Sequence, residues 1–137
     1  MKVVLDTNVF ASSFFGGNPR RTIQLWEEGL LTLCLSGAIL DEYLHVLMRL
    51  GLKTGPELEE LVGVLKHAPN VLFVAEPKPV KVVADDPDDD KFIACAVESG
   101  ARFVVSGDKH LLGICRYYEI HVVSPREFLA QVAKPRP

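Results

Sequence analysis

Little in this sequence could staple a fold or cross a membrane. The 137 residues contain three cysteines. They stand far apart at Cys34, Cys95 and Cys115 in apolar surroundings. An odd, scattered set suits buried free thiols in a reducing compartment better than disulfides or a zinc site. No apolar run reaches the roughly 18 residues of a membrane span. The longest uncharged stretch, Gly29 to Leu40, is interrupted by Thr32, Ser36 and Gly37. His45, His67, His110 and His121 include no pair at i, i+4, which argues against a histidine metal site. An excess of positive charge is lacking too. With a formal net charge of −3, a polyanionic partner would have to be met by local cations or bound metal. There is no internal repeat, and the chain enters an apolar strand without the regions of a secretory signal. The expectation is one domain over 1–137, with 131–137 a frayed tail, in the cytoplasm and without a membrane partner.

What is present is an ordinary globular composition, 48% hydrophobic and 24% charged, arranged as alternating strands and helices. Short apolar runs at Val3–Leu5, Leu31–Leu35, Val71–Val74, Arg102–Val105 and Ile120–Val123 read as five buried strands. Between them lie helical stretches. One opens at Pro19 with Asn18 as a candidate N-cap and stops at Gly29. A second runs from about Gly37 to Leu50, and a third starts from the capping-box pattern Thr54-Gly55-Pro56-Glu57. A fourth leads from the acidic run Asp85-Asp86-Pro87-Asp88-Asp89-Asp90 to Gly100, and a last one follows Ser124-Pro125-Arg126-Glu127. Strands alternating with helices imply a three-layer α/β/α sandwich with a central parallel sheet of about five strands.

In such a sheet the carboxyl ends of all strands face one edge, where α/β proteins usually place their ligands. Asp6 and Asp108 each follow a strand directly. Stepping about 100° per residue along the second helix puts Glu42 at the margin of the apolar face and Asp41 on the opposite side. Stepping back from Ile93, Ala94 and Val97 turns Asp90 inward, with Asp89 a close second and Asp88 outward. Asp6, Glu42, Asp90 and Asp108 should therefore meet, with no evident lysine or arginine between them. Four carboxylates in one crevice cannot all stay ionised without a cation. Oxygen-only ligands suit Mg²⁺ or Mn²⁺, and such a site is a clamp for phosphodiester hydrolysis.

Val4-Leu5-Asp6-Thr7-Asn8-Val9, Glu42 after strand two, Asp90-Lys91-Phe92-Ile93-Ala94 and Ser106-Gly107-Asp108 together resemble the PIN domain, a family of metal-dependent nucleases that includes the VapC-like toxins of prokaryotic toxin–antitoxin pairs. The resemblance spans essentially the whole chain. It implies that Asp6, Glu42, Asp90 and Asp108 bind one or two Mg²⁺ or Mn²⁺ ions and are catalytic. It also implies that Thr7, Asn8 and Ser106 orient those ligands, with Asp88 or Asp89 touching metal-bound water. By the same resemblance the substrate is RNA, the chain a homodimer, and an antitoxin its protein partner. Arg20, Arg21, Arg49 and Lys109, with Lys53 and Arg116, are candidate phosphate contacts. His110 is the histidine nearest the site, and Tyr117-Tyr118 are candidates for base stacking.

Two other readings compete. A haloacid-dehalogenase-type phosphohydrolase also puts an aspartate after strand one, but needs a second one two residues later, where Asn8 stands. A PIN-like module that binds RNA or protein without cutting would have no use for a complete acidic quartet.

Overall fold

The computed structural model describes residues 1–53 and 55–133. A six-stranded sheet has the order β3-β2-β1-β4-β6-β5, with β1 at Lys2–Leu5, β2 at Thr32–Ser36, β3 at Val71–Val74, β4 at Phe103–Val105, β5 at Arg116–Tyr117 and β6 at Ile120–Val123. All neighbours run parallel except β5, which pairs antiparallel on the outer edge of β6. The helices are α1 (Thr7–Ser12), α2 (Gly17–Glu27), α3 (Gly37–Arg49), α4 (Gly55–His67), α5 (Asp90–Ser99), α6 (Lys109–Leu112) and α7 (Pro125–Ala133), with a 3₁₀ turn at Pro87–Asp89.

The chain walks outward from β1 through β2 to β3, then returns to lay β4 against the other side of β1. Right-handed crossovers therefore put the connections before β3 on one face and α5 on the other. Accordingly, α5 packs across β1, β2, β3 and β4, whereas α7 lies on β4 and β6 beside α2. Cover on both faces explains why consecutive residues Val3, Val4 and Leu5 are all fully buried. The strand order reverses between β1 and β4. Chains leave these two neighbours in opposite directions and open a crevice at their carboxyl ends.

One feature anchors that edge. Tyr43 of α3 is fully buried, stacks on Phe10 of α1 at 4.2 Å, and donates its hydroxyl to the Leu5 carbonyl at 2.5 Å. Burial, then the neighbouring Asp6 charge, holds this phenol well above its ordinary pKa, so it remains a donor. At the far end, α5 stops at Gly100, whose left-handed φ of 75° closes the helix without the penalty a Cβ would bring.

The five parallel strands match the sequence expectation. Five details differ. Helix α1, which Asp6 caps, was not expected; nor was β5, two residues long. Helix α2 begins at Gly17, so Asn18 lies inside it instead of capping it. Residues 131–133 continue α7, whereas 134–137, like Thr54 of the capping-box pattern, lie outside the described residues. Cys34 and Cys95 are buried as expected, but Cys115 is exposed with a positive φ of 61°, because it lies in the turn leading into the edge strand. Among the described residues, no helix is long and apolar enough to cross a membrane.

Candidate metal centre

The site is built from the two strands flanking the crevice. Asp6 follows β1 and caps α1: its Oδ1 accepts from the Val9 amide at 2.8 Å, and its Oδ2 from the Ser106 hydroxyl. Ser106 follows β4 and is fully buried. Its hydroxyl oxygen also accepts the Asp108 amide at 2.9 Å. One serine thus ties the acid after β1 to the acid after β4. Asp108 caps α6, accepting from the His110 amide at 2.7 Å. Burial raises the Asp6 pKa; the Ser106 and Val9 hydrogen bonds act against that, and Asp108 adds to it.

The third wall is the acidic run. One carboxylate oxygen from each of Asp86, Asp89 and Asp108 lies within 4.8 Å of the others. Asp89 Oδ2 is buried and has no hydrogen-bond partner. Its pKa is pushed up to about 7, by burial first and then by the charges of Asp86, Asp108 and Asp6, with Lys91 pulling the other way. An oxygen-only cluster that includes a buried, unpartnered carboxylate oxygen fits a hard divalent cation such as Mg²⁺ or Mn²⁺.

The remaining sequence-selected acids are engaged differently. Asp90 does not turn into this cluster. Its Oδ1 accepts the amides of Val82 and Val83 at 2.9 and 2.7 Å, fixing the segment that walls a groove of about 780 Å³. Asp89, which ranked second in the sequence, is the residue the structure brings to Asp108. Glu42 receives the Thr7 hydroxyl on Oε1 at 2.6 Å, and its Oε2 forms an ion pair with Lys91. The Lys91 ammonium also reaches Asp88 Oδ2 at 3.1 Å. The expectation that no lysine stands among the acids is therefore corrected: Lys91, next to Asp90 in the first turn of α5, points into the site with only 16% of its side chain exposed.

Asn8 is exposed on α1, so the structure gives it no buried orienting role. Arg20, Arg21, Arg49 and Lys109 are all exposed. Arg21 is paired with Glu28 at 3.5 Å, and Arg49 ends α3, about 10 Å along the axis from Glu42 at 1.5 Å per residue. Lys109 opens α6 directly after Asp108, which makes it the cation of this group that the chain itself places beside the acids. His110 Nδ1 approaches Asp85 at 3.7 Å. Sequence reasoning missed Asp86 and Lys91. Asp86 had a signal, since a residue before proline is held extended, and Asp86 stands at the N-cap position of the turn that Pro87 opens, its carbonyl accepting the Asp89 amide at 3.0 Å.

Residues 2–110 match the PIN domain family model. An uncharacterized protein of Methanocaldococcus jannaschii is 31% identical over 98% of this chain and 93% of its own length. Among solved structures, the crystal structure of FitAcB from Neisseria gonorrhoeae shares 18% identity over 90% of this chain and 98% of that chain, with a TM-score of 0.47. FitAB bound to a DNA fragment shares 19% over 90% and 94%, with a TM-score of 0.45. With the family model covering most of its length, and with carboxylates gathered at the switch point of its sheet, the chain belongs to the PIN domain family.

Proposed function

We propose that this chain is a Mg²⁺- or Mn²⁺-dependent endoribonuclease, and that it serves as the toxin of a type II toxin–antitoxin pair. The observation that carries the nuclease reading is the oxygen cluster of Asp86, Asp89 and Asp108 within 4.8 Å, joined to Asp6 through Ser106, in a PIN domain chain. Asp89 and Asp108, with Asp86 and Asp6 beside them, would hold the ion. When bound, it would supply charge for the scissile phosphate and a water of lowered pKa for attack.

The chain's own residues prepare the rest. Ser106 fixes the Asp6 carboxylate and the Asp108 backbone in one register, so the two acids cannot drift apart as RNA enters. Thr7 and Lys91 hold Glu42 at the rim. Asp90 keeps residues 82–83 in place as a wall of the neighbouring groove. Lys109, exposed and directly after Asp108 in the chain, is a proposed phosphate contact. The toxin role, the antitoxin partner, the homodimer and the cytoplasmic location rest on the resemblance to VapC-like toxins.

Cleavage of single-stranded RNA in Mn²⁺ tests the activity. It should appear in the wild type, and should vanish with EDTA and in Asp6→Asn and Asp108→Asn. Cleavage that survives EDTA, or no cleavage under any condition, would rule the reading out. The toxin role is checked by growth arrest on expression, relieved by co-expressing the product of an adjacent small gene.

A further inference from the structure

Lys91 is held as a resident cation. Its ammonium pairs with Glu42 Oε2, reaches Asp88 Oδ2 at 3.1 Å, and lies 5.3 Å from the centre of the Phe92 ring. The other Glu42 oxygen takes the Thr7 hydroxyl, so both oxygens of this carboxylate have partners. The cluster open to an ion consists of Asp86, Asp89 and Asp108, and does not include Glu42. The acids thus form two seats for positive charge, one open and one filled by the chain itself. A divalent ion entering the Glu42 seat would have to displace an ammonium that is largely buried and held by two carboxylates. The displaced ammonium, largely buried, would then lie beside a divalent cation without its carboxylate partners, which is unfavourable for a buried charge.

We propose that Lys91 takes the place of a second metal ion: the chain binds one divalent cation per site, and Glu42 anchors Lys91 instead of ligating metal. This rests on the metal site proposed above, and the test separates the two. Mn²⁺ is titrated calorimetrically into the metal-free full-length chain, with bound ion counted independently by electron paramagnetic resonance. Wild type and Lys91→Arg should bind one ion, Lys91→Met two, and Asp108→Asn none. Glu42→Gln removes the pair from the other side and guards against misfolding of Lys91→Met. It should still bind one ion, with affinity within about threefold of wild type, less than 1 kcal/mol. Two ions in the wild type, one in a folded Lys91→Met, or loss of binding in Glu42→Gln would overturn the role of Lys91 while leaving the metal site standing. No ion in the wild type would remove the metal site, and this inference with it.

Discussion

Asp89 carries a cost that depends on pH. Its carboxyl titrates near 7 in the fold, against 3.8 for an ordinary aspartate. An acid whose folded pKa lies above its unfolded one keeps its proton more tightly when folded. Its contribution to stability is therefore greatest below 3.8 and is lost as pH rises toward about 7. The thermal midpoint of the metal-free protein should carry a downward component across this window that Asp89→Asn removes. Saturating Mn²⁺ should raise the wild-type midpoint above pH 7, because it binds only the folded state. Melts followed by circular dichroism over the pH series check both. Ser106 offers a second test at this scale. Ser106→Ala deprives the buried Asp6 carboxylate of a hydroxyl and the Asp108 amide of its acceptor. The expected loss is about 1.5 to 3 kcal/mol in urea unfolding, the range for a hydrogen bond to a charged group. Asp6 and Asp108 were legible because each directly follows an apolar strand. The choice between Asp89 and Asp90 was not, because stepping back at 100° per residue assumes an α-helix. Residues 87–89 form a 3₁₀ turn, which advances about 120° per residue, so the wheel that holds from Asp90, the first residue of α5, does not carry back to Asp89. Whether Lys91 reaches the acids depends on how α5 docks against α3, which no local pattern carries.

At the scale of elements, the site depends on how α3 is docked to β1. Ser36 caps α3 through the Ile39 amide, and Tyr43, one residue past Glu42, ties the helix to the Leu5 carbonyl just before Asp6. Tyr43→Phe keeps the stacking on Phe10 but removes that bond. Stability should fall by about 1 kcal/mol or somewhat more, as for other buried neutral hydrogen bonds, and the Glu42–Lys91 pair should loosen with it. Urea unfolding reads the first effect, and the rate of RNA cleavage the second. The apolar periodicity of α3 made this helix legible down to the half-buried placement of Glu42. Helix α1 escaped because it is only six residues long and its N-cap, Asp6, also reads as a site acid. One carboxylate does both jobs, with Oδ1 on the Val9 amide. Strand β5 is two residues long and exists only by pairing with β6, so no local pattern could announce it.

On the scale of the whole molecule, charge sets the terms on which the proposed RNA substrate can be met. The parallel topology followed from strand–helix alternation alone, and topology brought the acids after β1 and β4 together. Nothing in the composition opposes them: the net charge is −3, and the crevice concentrates negative charge with Lys91 already paired. Without a divalent ion, a phosphate approaching Asp6, Asp89 and Asp108 meets like charge in a partly dehydrated site, where repulsion is less screened than in bulk water. RNA affinity should therefore depend on the ion before cleavage does. Fluorescence anisotropy with a labelled single-stranded RNA, using Ca²⁺ as an oxygen-seeking substitute for the catalytic ions, should give binding at least about tenfold tighter than in EDTA, or 1.4 kcal/mol. Asp108→Asn should blunt the response to Ca²⁺ and bind RNA in EDTA no more weakly than wild type, since it removes a repelling charge. Equal affinity with and without the ion would place RNA on the exposed cations of α2 and α3, away from the carboxylates.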